Sequence, residues 1–571
     1  MRINIAVTAI LTVVIAVFSL LGVRLFYLQK YRTCDYKIES EARQRARITI
    51  KPPRGIIVDR NNKILAASNI VDIVYAEPRL MSDPDVRKVI AGRLQKILQM
   101  PAHEIITIIY NSKNPGYVKI KEGVTTDQRA AISKGISNGT LRGIGLLPKW
   151  QRYYPTGSLM SHIIGYTGYE EVGLEGLELK FNSQLEGGKG LDIFRVDAHR
   201  KPIGLESSVG NMKEGSSLIL TVDSTIQEFT RKALIKQRKS YQAESATAVV
   251  MDPWTGAILS LVSVPDYDPA EYSTATDSMR RNRALTDPFE PGSIFKPIVA
   301  AVGLDGGMIG FNDSFYCEMG NYCGKSFGCI GEWGSHRFGN LSTSEILIFS
   351  SNIGMAKMGK KIGYKRLYEG IKLFGFGRKT GIDLPGESSG IVRNLKDWDG
   401  YSIRVSFGHE VSVTAIQMIR AYGIMANGGS DITPHIVRAI VDGQGRITEM
   451  KMPPRLSGHI IKPEVADWIV KKPLVGVVTH NKGTGKQAAV EKWKVFGKTG
   501  TANISGRGGY DERNYVASFA GGAPAEKPKI VVLVSLRKPN KSLGKGYSGG
   551  RVAAPVVSEI IEKTLTYLEN T

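Results

Sequence analysis

A chain of 571 residues, 42% hydrophobic with 63 glycines, reads as an ordinary folded protein of about three or four domains, not a disordered one. Seventy-six Lys and Arg against 53 Asp and Glu leave a formal charge of +23. No zinc-finger spacing, aromatic RNA-binding motif or dense basic block accompanies that charge, so nucleic acid is not the expected partner. Scattered basic residues suit an anionic membrane surface or a pyrophosphate-bearing substrate better.

Residues 5–23 are 19 uncharged, mostly apolar positions between Arg2 and Arg24, enough to cross a bilayer core. No small-x-small cleavage pattern follows, which favours a permanent anchor over a removed signal peptide. Leu21, Leu25 and Leu28 keep helical spacing, so the helix is expected to continue out of the membrane. No second run of that length follows, so one side of the membrane should hold nearly all of the chain. Arg2 at one end and Arg24, Lys30 and Arg32 at the other leave the side open.

A charged segment, residues 39–47, comes next. Two short strands, Ile56-Ile57-Val58 and Ile64-Leu65-Ala66, are then joined by a polar turn over residues 59–63. Apolar spacing predicts helix between about residues 86 and 109. Turn-rich stretches follow at residues 152–157 and 173–178 and at Gly187-Gly188-Lys189-Gly190. This part offers no nucleophile–base pair and no phosphate loop, and reads as an α+β non-catalytic region.

Character changes near Gly215. A buried strand at 217–223, a helix at about 225–239 and a β-hairpin at 246–262 are followed by a largely helical block from about 342 to 427. Strands return at 495–496, 517–520 and 530–535, and an apolar helix at 552–568 comes last. Strands at both ends with helices between predict an antiparallel sheet completed by both ends of the domain, with a helical subdomain inserted.

Chemistry enters at Glu290-Pro291-Gly292-Ser293-Ile294-Phe295-Lys296-Pro297, a loop-to-helix junction. Ser293 and Lys296 lie three residues apart on one helix face. A serine hydroxyl needs a base, and a lysine amine serves if burial or nearby cations lower its pKa. Taken singly the spacing is weak, since Ser535–Lys538 and Ser542–Lys545 repeat it.

Ser350-Ser351-Asn352 opens another apolar helical stretch, where a hydroxyl and a carboxamide can relay a proton and hold a substrate amide. Ser112-Lys113-Asn114 fits that pattern too. Lys498-Thr499-Gly500-Thr501 reads as an edge strand with a glycine where a ligand approaches the backbone. Its lysine could bind a carboxylate and lower the Lys296 pKa by repulsion. Lys379-Thr380-Gly381 shares three letters but runs through Gly375-Phe376-Gly377-Arg378 into Pro385-Gly386, a helix-ending turn, and is set aside.

The ordered set of three motifs resembles the penicillin-binding transpeptidases, specifically the class B, single-anchor type. Arg54-Gly55-x-Ile57-x-Asp59-Arg60, Arg152-x-Tyr154-Pro155-x-Gly157 and residues 173–178 are similar to that family's pedestal motifs. Gly408-His409-Glu410, Gly483-Thr484-Gly485 and Val552-Ala553-Ala554-Pro555 also match its patterns. The resemblance implies an α+β multidomain chain. Residues 1–30 would be a cytoplasmic tail and transmembrane anchor, 31–214 a pedestal (dimerisation-type) domain, and 215–571 a transpeptidase domain. That last domain would have a five-stranded antiparallel sheet flanked by helices plus a helical subdomain.

It further implies a peptidoglycan D,D-transpeptidase without a cofactor, inhibited by β-lactams. Ser293 would attack the penultimate D-alanine carbonyl of a stem peptide, with Lys296 as base. The backbone N–H groups of Ser293 and Thr501 would form the oxyanion hole. Ser350 would pass the proton to the leaving D-alanine while Asn352 holds the substrate amide. Lys498 and Thr499 would receive the terminal carboxylate, on a strand completed by Gly500 and Thr501. The expected place is the bacterial cytoplasmic membrane, single-pass, with the N-terminus cytoplasmic and the catalytic domain periplasmic. No glycosyltransferase motif stands in the chain, so a multi-span membrane glycan polymerase and other division proteins are implied partners.

Residues 281–293 are similar to the cell-division enzyme, whereas Phe315-Tyr316-Cys317 and the stretch to His336 resemble elongation-type enzymes; division is favoured. Cys317, Cys323, Cys329 and His336 leave two readings open. One is tetrahedral zinc. The other is a disulfide, favoured by an oxidising compartment and expected between Cys317 and Cys329 with Cys323 free, or plain thiols. His409 has no adjoining serine or cysteine motif and reads as structural. A β-lactamase is the first rival, though no dedicated deacylation base is recognisable. A non-catalytic β-lactam sensor or divisome scaffold is the second.

Overall fold

The computed structural model describes residues 2–188, 190–196, 202–209, 213–325, 327–398, 402–451, 458–506 and 509–570, so Lys189 of the glycine-rich run lies outside the described residues. The chain divides into two units, residues 1–53 with 186–215, and residues 54–185 with 216–571.

In the first unit one helix, Arg2–Tyr31, carries the apolar run. Its 30 residues extend about 45 Å at the usual rise, beyond the ~30 Å hydrocarbon core, as the Leu21–Leu25–Leu28 spacing predicts. A second helix, Thr33–Gln44, follows. Arg45–Ile50, Gly190–Val196 and Pro202–Val209 form an antiparallel three-stranded sheet that the sequence reading did not anticipate.

The second unit centres on a five-stranded antiparallel sheet in the order Ile258–Val264, Ser245–Met251, Ile530–Arg537, Gly509–Ala523, Phe496–Gly506. Both ends of the catalytic segment supply its strands, as predicted. All residues of Ser245–Met251 and Ile258–Val264 are buried, so these apolar runs do not alternate with polar positions as a half-exposed strand would. Helices Ser224–Ser240 and Ala554–Glu569 cover one face through Ile226, Leu234, Val557 and Ile561. Asp223 caps the first of these helices, its carboxylate accepting from the Thr225 and Ile226 N–H groups. The other face carries Ala415–Ala426, buried at all twelve positions, which explains why this helix is apolar all round.

A second sheet runs in the order Ile447–Met450, Val437–Val441, Ser217–Leu220, Ile57–Val58, Ile64–Ala76, Val118–Glu122, with Ile144–Tyr153 also paired to Ile64–Ala76. One sheet therefore joins strands from early and late in the chain. The three pedestal motifs meet beside it: Arg54 Nε donates to Glu178 Oε2 at 2.5 Å and Arg152 Nε to Glu178 Oε1 at 2.6 Å. All three side chains are buried. Asp59 accepts from the Asn61 and Lys63 N–H groups and from both the N–H and hydroxyl of Ser224, tying the polar turn to the start of a catalytic-segment helix.

Three expectations change. The helix predicted over 86–109 is two, Pro84–Leu98 and Ala102–Tyr110, because Gln99 turns left-handed and Pro101 cannot donate into a continuing helix. Among the described residues the block from 342 to 427 is α-helical as Thr343–Ile348, Asn352–Ile362, Tyr364–Leu373, Ser402–Val405 and Ala415–Ala426, with a 3-10 turn at Leu395–Asp397 and mostly irregular chain otherwise between Leu373 and Ala415. The last helix breaks at Ala553, ahead of Pro555, into Gly549–Val552 and Ala554–Glu569.

Candidate active site

Ser293 sits in the 3-10 turn Gly292–Phe295, which runs straight into the helix Lys296–Asp305. Three elements clamp this turn from outside. The Tyr422 hydroxyl donates to Ile294 O at 3.0 Å, and the Gly292 N–H donates to Gly408 O at 3.0 Å. A Cβ at Gly408 would lie 2.0 Å from Gly292 O, so only glycine permits the approach. On the third side Gly500 brings the edge strand against the turn, where a Cβ would meet Ile294 Cγ2 at 3.0 Å.

Lys296 is fully buried. Its Nζ donates to Ser350 O at 2.6 Å, to Ser350 Oγ at 3.3 Å and to Asn352 Oδ1 at 2.8 Å. Ser350 reaches it from a left-handed conformation, φ 63°, in the break between Thr343–Ile348 and Asn352–Ile362. Burial pushes the Lys296 amine down to about 7, while the Glu332 carboxylate works in the opposite direction.

Lys498 is also enclosed, and burial followed by repulsion from Lys296 holds it well below the ordinary lysine value. Desolvation leads the lowering of Lys296, and repulsion between the two lysines adds to the lowering of Lys498.

Ser293, Ser350, Asn352, Thr499 and Thr501 border one cleft of about 370 Å³. Thr499 and Thr501 of the edge strand's motif line it, and Lys498 is enclosed. Thr484 Oγ1 is 2.8 Å from Thr499 Oγ1, and the Gly549 N–H donates to Thr501 Oγ1 at 3.0 Å, so the hydroxyl row is braced from a loop and from the start of the helix Gly549–Val552. Trp333, Phe349 and Phe407 supply apolar wall, and Glu332 and His409 stand among them. A volume in the range of small-ligand sites, with a few convergent polar groups, suits a short peptide end.

The cysteine expectation is overturned. Asn321–Gly324 and Gly328–Gly331 pair antiparallel with Cys323 opposite Cys329, and that pair forms the disulfide. Cys317 lies outside the hairpin, free and buried, its Sγ 3.5 Å from Ser351 Oγ. Two of the four zinc candidates are thus consumed by the disulfide, and His336 stacks on Phe338 beside the cleft. The reason is register: cross-strand neighbours in an antiparallel pair approach more closely than residues flanking it.

His409 does line the cleft, with Nδ1 3.0 Å from Glu290 Oε2, in an ion-pair position just ahead of the nucleophile turn. The rejected Lys379-Thr380-Gly381 is a turn: the Thr380 N–H and hydroxyl donate to Glu387, and Gly381 has φ +85°. Ser535 lies within the strand Ile530–Arg537, and Lys538 pairs with Glu244. The sequence reading missed Glu332, Tyr422 and the bracing role of Thr484. Thr484 stood inside a noted pattern, but Glu332 and Tyr422 carry no local signal.

A serine ahead of a helix, a buried amine drawn toward neutrality and a hydroxyl-lined edge strand are the parts a serine acyl-transfer site needs, here on an antiparallel sheet between helices. A penicillin binding protein transpeptidase domain is matched over residues 246–562, and a penicillin-binding protein dimerisation domain over 49–220. The chain belongs to the penicillin-binding transpeptidase family. It is 32% identical to stage V sporulation protein D of Bacillus subtilis (strain 168) over 561 residues, covering 97% of this chain and 84% of that one. It is 30% identical to peptidoglycan D,D-transpeptidase FtsI of Escherichia coli (strain K12) over 556 residues, 96% and 89% of the two chains. Among solved structures, a peptidoglycan synthetase from Bifidobacterium adolescentis aligns with TM-score 0.71 at 26% identity, over 92% of this chain and 97% of that one. Penicillin binding protein 2X from Streptococcus thermophilus aligns with TM-score 0.76 at 22% identity, over 91% and 80%, a likeness of fold.

Proposed function

We propose that this protein is a peptidoglycan D,D-transpeptidase that cross-links stem peptides through a Ser293 acyl-enzyme, acting in septal wall synthesis. The observation that carries the chemistry is Lys296: buried, lowered to about 7, and bonded to Ser350 and Asn352 beside the serine.

Neutral Lys296 takes the Ser293 hydroxyl proton as Oγ bonds to the penultimate D-alanine carbonyl carbon. The Ser293 and Thr501 N–H groups hold the resulting oxyanion. The proton passes from Lys296 through the Ser350 hydroxyl to the leaving nitrogen, the C–N bond breaks and D-alanine departs. An amine of a second stem peptide then attacks the ester, loses a proton to the same relay and returns Ser293 to its hydroxyl form. Asn352 holds the substrate amide, and Thr499, with Lys498, Gly500 and Thr501 on the same strand, receives the terminal carboxylate. β-Lactams acylate the same oxygen.

The septal role draws support from the division-type stretch at residues 281–293 and from the identity to the Escherichia coli protein. An elongation role is the second reading, favoured by the segment from Phe315 to His336. The apolar helix Ile3–Tyr31 supports single-pass membrane anchoring, and this reading sets the N-terminus on the cytoplasmic side and residues 215–571 outside. Domains divide at 30/31 and 214/215, and a multi-span glycan polymerase and other division proteins work alongside.

Fluorescent-penicillin labelling of cells bearing wild type or Ser293→Ala tests this. Covalent label in the wild type only, concentrated at mid-cell, is the expected result. Label surviving in Ser293→Ala removes the nucleophile assignment, sidewall label transfers the role to elongation, and steady nitrocefin turnover makes the enzyme a β-lactamase.

A further inference from the structure

Glu332 leaves the disulfide-closed hairpin at Gly331 and reaches across to the first turn of Asn352–Ile362. Both of its carboxylate oxygens are used there. Oε1 accepts from the Ser351 hydroxyl and, at 3.3 Å, from the Ile353 N–H; Oε2 accepts from the Asn352 N–H at 2.7 Å. A negative charge is favoured at a helix start, where backbone donors lack partners.

The neighbouring Gly331 O accepts from Asn352 Nδ2 at 3.1 Å. That contact fixes the carboxamide with its nitrogen toward the hairpin and its oxygen toward Lys296, which Asn352 Oδ1 meets at 2.8 Å. Ser350, one residue before this anchored segment, holds the left-handed conformation that presents both its carbonyl and its hydroxyl to the same amine. Such backbone persists only where the surroundings hold it.

We propose that Glu332 is a positioning residue for acylation: through Ser351 and the Asn352 backbone it fixes the Ser350–Asn352 turn that orients the base. The inference rests on the transpeptidase reading above and adds to it the element that assembles the proton relay. Glu332 also fronts the cleft and acts on the amine by charge. The ionisable groups facing this corner are Lys296 and Lys498 from the nucleophile helix and edge strand, Cys317 beneath, and His336 and His409 along the cleft wall.

The test measures the second-order acylation constant with fluorescent penicillin from pH 5.5 to 9 for the full-length protein in detergent, alongside thermal melting. Glu332→Gln keeps the shape but loses the charge and turns an amide N–H₂ toward backbone donors. Its plateau is expected to fall about 10- to 100-fold, as misplacement of a catalytic group does. Its midpoint is expected to move to lower pH, because removing a negative charge disfavours the ammonium form of Lys296. Ser351→Ala, which keeps the charge but removes one bond of the bracket, should lower the plateau and leave the midpoint in place. A Glu332→Gln enzyme with wild-type plateau and midpoint overturns the proposal. So does a loss that merely follows the melting temperature with the midpoint unmoved. Ser293→Ala, run in parallel, reports on the transpeptidase reading alone: label retained there defeats that reading whatever Glu332 does.

Discussion

Lys296 Nζ donates to Asn352 Oδ1 at 2.8 Å, joining positions 56 residues apart in the chain. With the two Ser350 contacts it surrounds a fully buried amine with acceptors. Burial lowers this amine and the Glu332 carboxylate raises it; burial prevails, which leaves the group near 7.

The pH dependence follows from that balance. Only the neutral amine can take the Ser293 proton, so acylation rises with pH through about 7. One unit below the midpoint about a tenth of the enzyme holds a neutral base, and one unit above about nine tenths does. Acylation by a penicillin at pH 6 is therefore expected at about one tenth of the plateau. Stopped-flow or gel-based acylation rates across pH 5.5–9 check it; a profile still rising steeply above pH 9 would show that burial does not lower this amine.

Gly408 and Gly363 make a matched pair of substitutions. Both have positive φ, +85° and +81°, but a Cβ at Gly408 meets Gly292 O at 2.0 Å while one at Gly363 has nothing within 4 Å. Gly363→Ala, at φ 81° and ψ 147°, should cost about 1–3 kcal/mol of backbone strain and acylate normally. Gly408→Ala must displace the nucleophile turn, with an expected cost of about 3 kcal/mol and a fall in acylation of about 100-fold. Denaturant unfolding and acylation rates on both variants decide it; equal behaviour would mean that the turn tolerates displacement.

Glu178 pairs with two buried guanidinium groups, Arg54 and Arg152. Glu178→Ala leaves both charges without their shared carboxylate, and breaking a buried pair in this way costs about 3–5 kcal/mol. Chemical denaturation should register that loss, whereas the folded fraction should acylate at the wild-type rate. Unchanged stability would mean that water or rearrangement replaces the carboxylate.

Much of this fold can be read locally. Ser245–Met251, Ile258–Val264 and Ile530–Arg537 are apolar, β-rich runs bounded by turn residues, so their strand character and burial are written in adjacent positions. The sheet formed by Arg45–Ile50, Gly190–Val196 and Pro202–Val209 is not legible in the same way. Its strands are partly polar, and Arg45–Ile50 pairs with a strand about 150 residues away, so no single window contains that pairing. The cysteine pairing failed for a related reason: spacing leaves several partners available, and strand register selects one.

Residue order along the chain singled out Ser293, Lys296, Ser350, Asn352 and the Lys498–Thr501 strand as candidates and set Lys379-Thr380-Gly381 aside, because the three motifs occur as an ordered set. Tertiary structure decided the state in which those residues meet. Whether Lys296 is an ammonium or a base depends on how completely the surrounding helices and sheet exclude water. Whether Asn352 turns its oxygen to that amine depends on Gly331 and Glu332, twenty residues earlier on a separate hairpin. Protonation and orientation are set by burial and long-range contacts, and neither is encoded at any single position.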